Sequence, residues 1–529
     1  MEKARLDKII GKKQIPLLTF EKGRLQVKGY DLENGNIVFG ALSHRWNDNI
    51  LVSEQESYIP GVKPAYICQL KALQSAFDEV VQKTHGGSQH EHIPFWVDSL
   101  CTPEIPADEM SWSISQTRHI YKKATTVLVW DRGLLETTKD DHEGDIALNM
   151  RIRASHWAQR MWTLLETVVS SDFAIAFDNG FVSLNQLKKA RDRAKQDDGD
   201  KYHYVWRLGQ PFSPAIEELR LSLTSPASPR ASPPRYHRIA CLWRAVQFRL
   251  VSDQKDETII LANVLDLDAA RLLEVTDQSA DQVAERMIEF LDMLDSTPGL
   301  GIPPGIIFLP GPPLRDVKDT DRKGYGWAPK SWLSKRPQQE ANPLIENVFD
   351  SFIGKHGLFV TYPGVLLHCS GDSIKLFKEF SVPLDENLLR WYHVTMESDD
   401  TSVSEPDNDA KFDAGNSSTS QPQTGELHPN VDKFMKPQLG LILSTTKFDK
   451  IGEKEKLGLL VRVKGKLGRG KALWVSRIGR VWVRLEMDRD AMNDCVKMMR
   501  DREHDVFVGE PLPEEQLWCV DGDDGGTSR

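Results

Sequence analysis

Four short apolar runs, each closing on polar residues and each followed by a helix-like stretch, constrain this chain more than any other feature. Residues 37–43 (IVFGALS) run into His44 and Arg45, residues 94–98 (PFWVD) into Ser99, and residues 125–131 (TTVLVWD) and 172–178 (DFAIAFD) end on Asp131 and Asp178. Near-continuous Val, Ile, Leu and Phe suit strands buried on both faces, the pattern of parallel sheets. Between the first two runs, residues 68–81 place Leu70, Leu73, Phe77 and Val80 on one helical side; between the second and third, residues 113–123 carry Ile114 and Tyr121 inward. Strand and helix in alternation predict right-handed crossovers and a parallel α/β sheet with helices on both faces. Ligands of such sheets bind beyond the carboxyl ends of the strands. The candidate rim is therefore Ser43-His44, Asp98-Ser99, Asp131 and Asp178.

Residues 155–166 (SHWAQRMWTLLE) follow a loop that leaves this rim. At about 100° per residue, Trp157, Met161, Leu164, Leu165 and Val168 make one apolar stripe. Ser155 fits the N-cap, because its hydroxyl accepts from an otherwise unpaired amide. Trp162 lies on the flank of the stripe with Glu166 four residues on, so the spacing predicts Glu166 pointing away from the packed face. Two readings follow. One is a solvated glutamate beside a packing tryptophan. The other is a cleft carboxylate against an indole, with a raised pKa and use as a general base or ribose ligand.

A length of 529 residues suggests about three domains, since single cores seldom exceed roughly 250–300 residues. The formal net charge of -10 argues against a general nucleic-acid binder. Six scattered cysteines without a CxxC pair point to a reducing compartment and no structural zinc. The start lacks a signal-peptide core, and no run reaches the roughly 20 apolar residues of a membrane span, so a cytoplasmic protein is expected.

Other candidate sites are weaker. Cys101 with His119 is best read as a buried structural cysteine, since no nucleophile signature surrounds it. His85, His90 and His92 sit in a Gly-containing loop with no ligand spacing. Residues 464–471 (KGKLGRGK) imitate a phosphate loop, but Ala472 stands where Ser or Thr should be and both flanks read as strands, which predicts a hairpin turn.

The organisation predicted from composition is an α/β domain at 1–200, a connector at 201–221 and a Pro/Ser-rich linker at 222–235. A mainly helical region at 236–335 and a β-rich domain at 336–396 and 431–520 follow. Disorder is expected in an acidic insertion at 397–430 and a tail at 521–529. Within the helical region, residues 236–250 and 258–273 read as helices, with Asp256 and Glu257 a structural pair in a first turn. No 20–50 residue repeat is visible in the sequence.

Four blocks now stand in order: LSHRW (42–46), FWVDSLC (95–101), IYKKATTVLVWD (120–131) and W-AQR-MWTLLE (157–166). Together they resemble the successive blocks of the fungal heterokaryon-incompatibility (HET) domain. The resemblance implies an effector of self/non-self recognition and programmed cell death that self-associates and answers to an unidentified protein partner or allele product. The HET domain in turn resembles the TIR domain, which implies a flavodoxin-like sheet; some TIR domains hydrolyse NAD with a glutamate near a tryptophan-containing helix start. Carried over, that catalytic glutamate is Glu166, with Ser43, His44, Arg45, Trp46, Asp98 and Trp162 as ligand-binding candidates. NAD is then a substrate, with no permanently bound cofactor. The alternative is a non-enzymatic, self-associating scaffold in which Glu166 and Trp162 hold the fold or an interface.

Overall fold

A computed structural model describes residues 3–33, 37–45, 67–85, 92–102, 107–138, 145–187, 214–224, 236–275, 281–314, 324–333, 342–345, 349–369, 379–383, 391–397, 438–444, 455–468, 471–486 and 507–521. The charged stretch at 188–201, most of the Pro/Ser-rich linker, nearly all of the acidic insertion and the tail from 522 lie outside them. The chain divides into two compact units, Met1–Pro233 with Cys241–Gln282, and Pro234–Ala240 with Val283–Arg529.

The first unit is built on a seven-stranded sheet. Its strands are β1 (Ile15–Glu21), β2 (Arg24–Tyr30), β3 (Gly40–His44), β4 (Phe95–Trp96), β5 (Thr126–Trp130), β6 (Phe173–Phe177) and β7 (Gly180–Ser183). They lie in the order β2-β1-β4-β3-β5-β6-β7. The four strands expected from the apolar runs are mutually parallel and central. The second of them lies on one side of the first and the third on the other, so the chain steps from β3 to one side and then crosses back over it to the other, which creates a switch point beside β3.

The sheet is mixed rather than wholly parallel. β1 pairs antiparallel with both β2 and β4, and β7 pairs antiparallel with β6. Both additions are tight hairpins. Lys22 and Gly23 take φ of 49° and 75°, the left-handed pair that a two-residue turn needs to match strand twist.

Close packing seats β3. Gly40 pairs with Phe95, and a Cβ on Gly40 would lie 2.2 Å from the Phe77 ring of the Ile67–His85 helix. Phe77 itself stacks on Phe95 at 5.3 Å and is fully buried, so it has little room to yield. Gly40→Ala is expected to cost about 1–3 kcal/mol by overpacking, read as a lower urea midpoint.

The middle of the chain is helical, though more broken than expected. The 236–250 reading becomes His237–Val246. The 258–273 reading becomes Asp256–Leu265 and Ala269–Leu273, parted by Asp266 at φ 65° and restarted by Asp268, whose carboxylate caps Ala270 N.

The second unit carries a ten-stranded, largely antiparallel sheet. Lys456–Leu467 and Ala472–Glu486 form its central hairpin, closing on Leu467 opposite Ala472. The flank expected as a strand after the turn runs unbroken to Glu486. Residues 464–468 and 471 lie at the end of this hairpin, in keeping with a turn and not with a strand-to-helix phosphate loop, and 469–470 lie outside the described residues. Alternate residues such as Val365, Leu367, Val382, Val394, Leu441 and Val483 turn inward and form a core. Among the described residues, no helix is long and apolar enough to cross a membrane.

Candidate active site

β3 ends in Ser43-His44, and strand alternation sends their side chains to opposite faces. Each meets a different partner. His44 Nε2 lies 2.9 Å from Asp98 Oδ1 and 3.4 Å from Ser99 Oγ, just past the neighbouring strand β4. Ser43 faces the segment 155–169.

That segment is not one helix. Ser155 caps the first turn as expected, accepting from Ala158 N at 3.2 Å. The helix His156–Gln159 then stops at Arg160, which is extended at φ −80° and ψ 146°, and Trp162–Val169 begins afresh. The break is filled from far along the chain. Leu250 N donates to Gln159 O at 2.7 Å and Leu250 O accepts from Met161 N at 2.9 Å. Arg249 Nη1 donates to Arg160 O at 2.5 Å. Carbonyls and amides freed by the break are therefore paired again.

The break brings Trp157 and Glu166 onto one hydroxyl. Trp157 Nε1 donates to Ser43 Oγ at 2.6 Å, and the Ser43 hydroxyl donates to Glu166. Trp162 goes elsewhere: its indole donates to Asp256 Oδ2 at 3.0 Å and it is only half-buried. The indole linked to the acid is thus Trp157, placed by its spacing in the apolar stripe.

Glu166 does not point into water, contrary to the helical spacing, and is 6% exposed. Its helix packs on β3 and on the helices Ala107–Lys123, Pro214–Thr224 and Asp256–Leu265, which enclose the Glu166 side. Burial pushes the carboxyl up to about 7, with the Asp98 charge adding to the rise, while the Ser43 hydroxyl, Arg160 and His44 pull it down.

His44 Nδ1 lies 3.1 Å from Arg45 O, so the nearest partners of the two ring nitrogens, a carbonyl and a carboxylate, only accept, and the Ser99 hydroxyl is the longer contact. The imidazole satisfies both only as the imidazolium. Burial opposes that charge, but the charge and hydrogen bond of Asp98 outweigh it and raise the pKa. Arg160 Nη1 donates to His44 O at 3.1 Å. Tyr121 donates to Leu42 O at 2.9 Å and stays a neutral phenol, since burial and the Glu166 and Asp98 charges push it well above its usual value.

Ser43, His44, Asp98 and Glu166 are therefore gathered into one buried polar network. Arg45 contributes its carbonyl, and Trp46 lies outside the described residues. The arrangement is not a serine triad, because Asp98 and Ser99 both meet the same imidazole nitrogen, whereas a triad spans the two. What it offers is a carboxyl titrating near neutrality beside a fixed ion pair, at the carboxyl ends of two parallel strands.

The other rim residues have structural uses. Asp131 caps Leu134 N at 3.1 Å and accepts from Trp157 N at 3.1 Å, and the exposed Asp178 lies 3.4 Å from the Thr138 hydroxyl. Burial pushes the Cys101 thiol up to about 12, which keeps it neutral and unreactive. His92 pairs with Asp78 at 2.8 Å, and His90 lies outside the described residues. Spacing missed Trp157, Arg160, Arg249 and Tyr121 as members of the network, while Ser99 stood in the expected rim.

Residues 39–145 match the family model described as Heterokaryon incompatibility protein (HET). Ser43, His44 and Asp98 lie inside the matched stretch, and Trp157 and Glu166 follow it. Neither the curated proteins nor the solved structures contain a match to this chain.

Proposed function

Because this chain carries a HET domain, which ties it to heterokaryon incompatibility, we propose that its first unit is the effector of that response. It triggers cell death by hydrolysing NAD, with Glu166 as the working carboxyl. The observation that carries this reading is the place of Glu166, a buried carboxyl bonded to Ser43 at the carboxyl end of β3, titrating at about 7. A group with that pKa is present as both acid and base at working pH. Cleavage of the ribose–nicotinamide bond passes through an oxocarbenium-like transition state, whose charge a nearby carboxylate stabilises. Self-association switches the effector on, and a partner or allele product supplies the signal.

The test is nicotinamide release from NAD by concentrated full-length protein, wild type against Glu166→Gln. Turnover is expected from the wild type and a loss of about 100-fold or more from the variant. Equal release from both, or none from the wild type at any concentration, ends the enzyme reading.

The closure of the network favours a second reading. The His44 side chain has no exposure, and satisfied buried polar networks fix a unique packing. The domain would then be a self-associating scaffold. Its mark is a Glu166→Gln protein that still self-associates and still kills.

A further inference from the structure

Among Ser43, His44, Asp98 and Glu166, the carboxylate of Asp98 is the one with an open face. Its side chain is 28% exposed, against 0% for that of His44, and Ser43 and Glu166 are closed over. It stands just past the end of β4, beside β3, on the rim where open α/β sheets take their ligands. It is held rigidly: Oδ1 accepts from Ser99 N at 2.6 Å and from His44 Nε2 at 2.9 Å. His44 is also its ion-pair partner.

We infer that Asp98 is the general base that activates water at this site, a role that rests on the NAD-hydrolysing reading above. The chemistry asks for one base. NAD presents its nicotinamide as a pyridinium. When the C1′–N bond breaks, its electron pair returns to the ring nitrogen and nicotinamide leaves neutral, so no acid is required. The water oxygen forms the new bond to C1′, its proton passes to the Asp98 carboxylate, and from there it goes to solvent. NAD and water thus give nicotinamide, ADP-ribose and one proton. The two carboxyls divide the work. Glu166 acts on the charge developing on the ribose through the Ser43 hydroxyl that covers it, and Asp98, open to solvent, takes the proton. His44 is the positioning residue that keeps Asp98 in place. The same division selects the substrate class. A pyridinium nucleotide needs only a base, whereas an ordinary purine nucleoside needs its leaving base protonated.

The experiment compares wild type, Asp98→Asn and Asp98→Glu in nicotinamide release, with and without azide, over pH 4–9. Azide attacks C1′ without giving up a proton, so it stands in for activated water. Asp98→Asn is expected to lower kcat about 100-fold or more, to lose the acid limb of the kcat/KM profile, and to recover turnover in azide with an azido-sugar product. Asp98→Glu keeps the charge that His44 needs and guards against a fold failure in Asp98→Asn. Moving the carboxylate by one methylene is expected to lower kcat about 100-fold at nearly unchanged KM and melting temperature. Wild-type kcat in either folded variant overturns the assignment, as does a folded Asp98→Asn whose lost activity azide does not restore. Both outcomes leave the NAD reading standing. A wild type that releases no nicotinamide overturns the reading and the base together.

Discussion

Glu166→Gln is expected to be more stable than the wild type at pH 8 by about 3 kcal/mol, and close to it at pH 4. The carboxyl titrates at about 7 in the fold against an ordinary value of 4.5, chiefly because burial disfavours its charge. Below the ordinary value the folded and unfolded states both hold the proton. Between the two values the folded state alone holds it, so unfolding releases a proton and stability falls as pH rises. Above about 7 both states are ionised and the full cost of burying the charge is in place. At about 1.4 kcal/mol per pH unit, the window amounts to about 3 kcal/mol. Glutamine keeps the shape and still accepts from Ser43, but it never ionises, so this slope disappears. His44, whose pKa is also raised, contributes stability that is likewise lost as pH rises, but only through values above 6.5. The variant should therefore keep a residual decline near and above neutrality. Urea unfolding of both proteins at half-unit steps from pH 4 to 9 measures the difference. Parallel curves would mean that Glu166 ionises in the fold as it does in water.

The sheet and part of the network were legible for one reason. A strand buried on both faces must be apolar along its length, so its first polar residue marks where it leaves the core. Ser43, His44 and Asp98 stood out on that ground, and the fold gathers them. Asp131 and Asp178 carried the same signal yet serve a helix cap and a surface hydroxyl, because a polar strand end says nothing about which neighbour it meets. The break at Arg160 had no local signal. It exists because the Arg249-Leu250 backbone and guanidinium supply its missing bonds, and Arg249 lies 89 residues from Arg160. Without the break, helical spacing pairs Glu166 with Trp162. With it, Trp157 becomes the partner through Ser43. The first hairpin escaped notice for a different reason. Its turn is Lys22-Gly23, and lysine is not a residue from which left-handed φ is read.

Trp157→Ala is expected to destabilise the first unit by about 3–5 kcal/mol, the range for truncating a fully enclosed large aromatic, and Trp162→Ala by well under half of that. Trp157 is 2% exposed and buries its ring with its indole N–H on Ser43, while Trp162 is half-buried against Asp256. Trp157→Phe separates the ring from the N–H. It keeps most of the apolar volume and leaves Ser43 Oγ without its 2.6 Å donor, so about 1–2 kcal/mol of the loss should remain. It should also act on the acid. The indole N–H polarises the Ser43 hydroxyl and strengthens its bond to the ionised carboxylate. The Ser43 bond is the largest influence holding Glu166 down against burial, so weakening it moves the carboxyl further up. The pH window over which stability falls should then extend upward in Trp157→Phe and stay in place in Trp162→Phe. An unmoved window in Trp157→Phe would mean that Ser43 and Glu166 are bonded independently of the indole, and that the tryptophan in this network is packing alone.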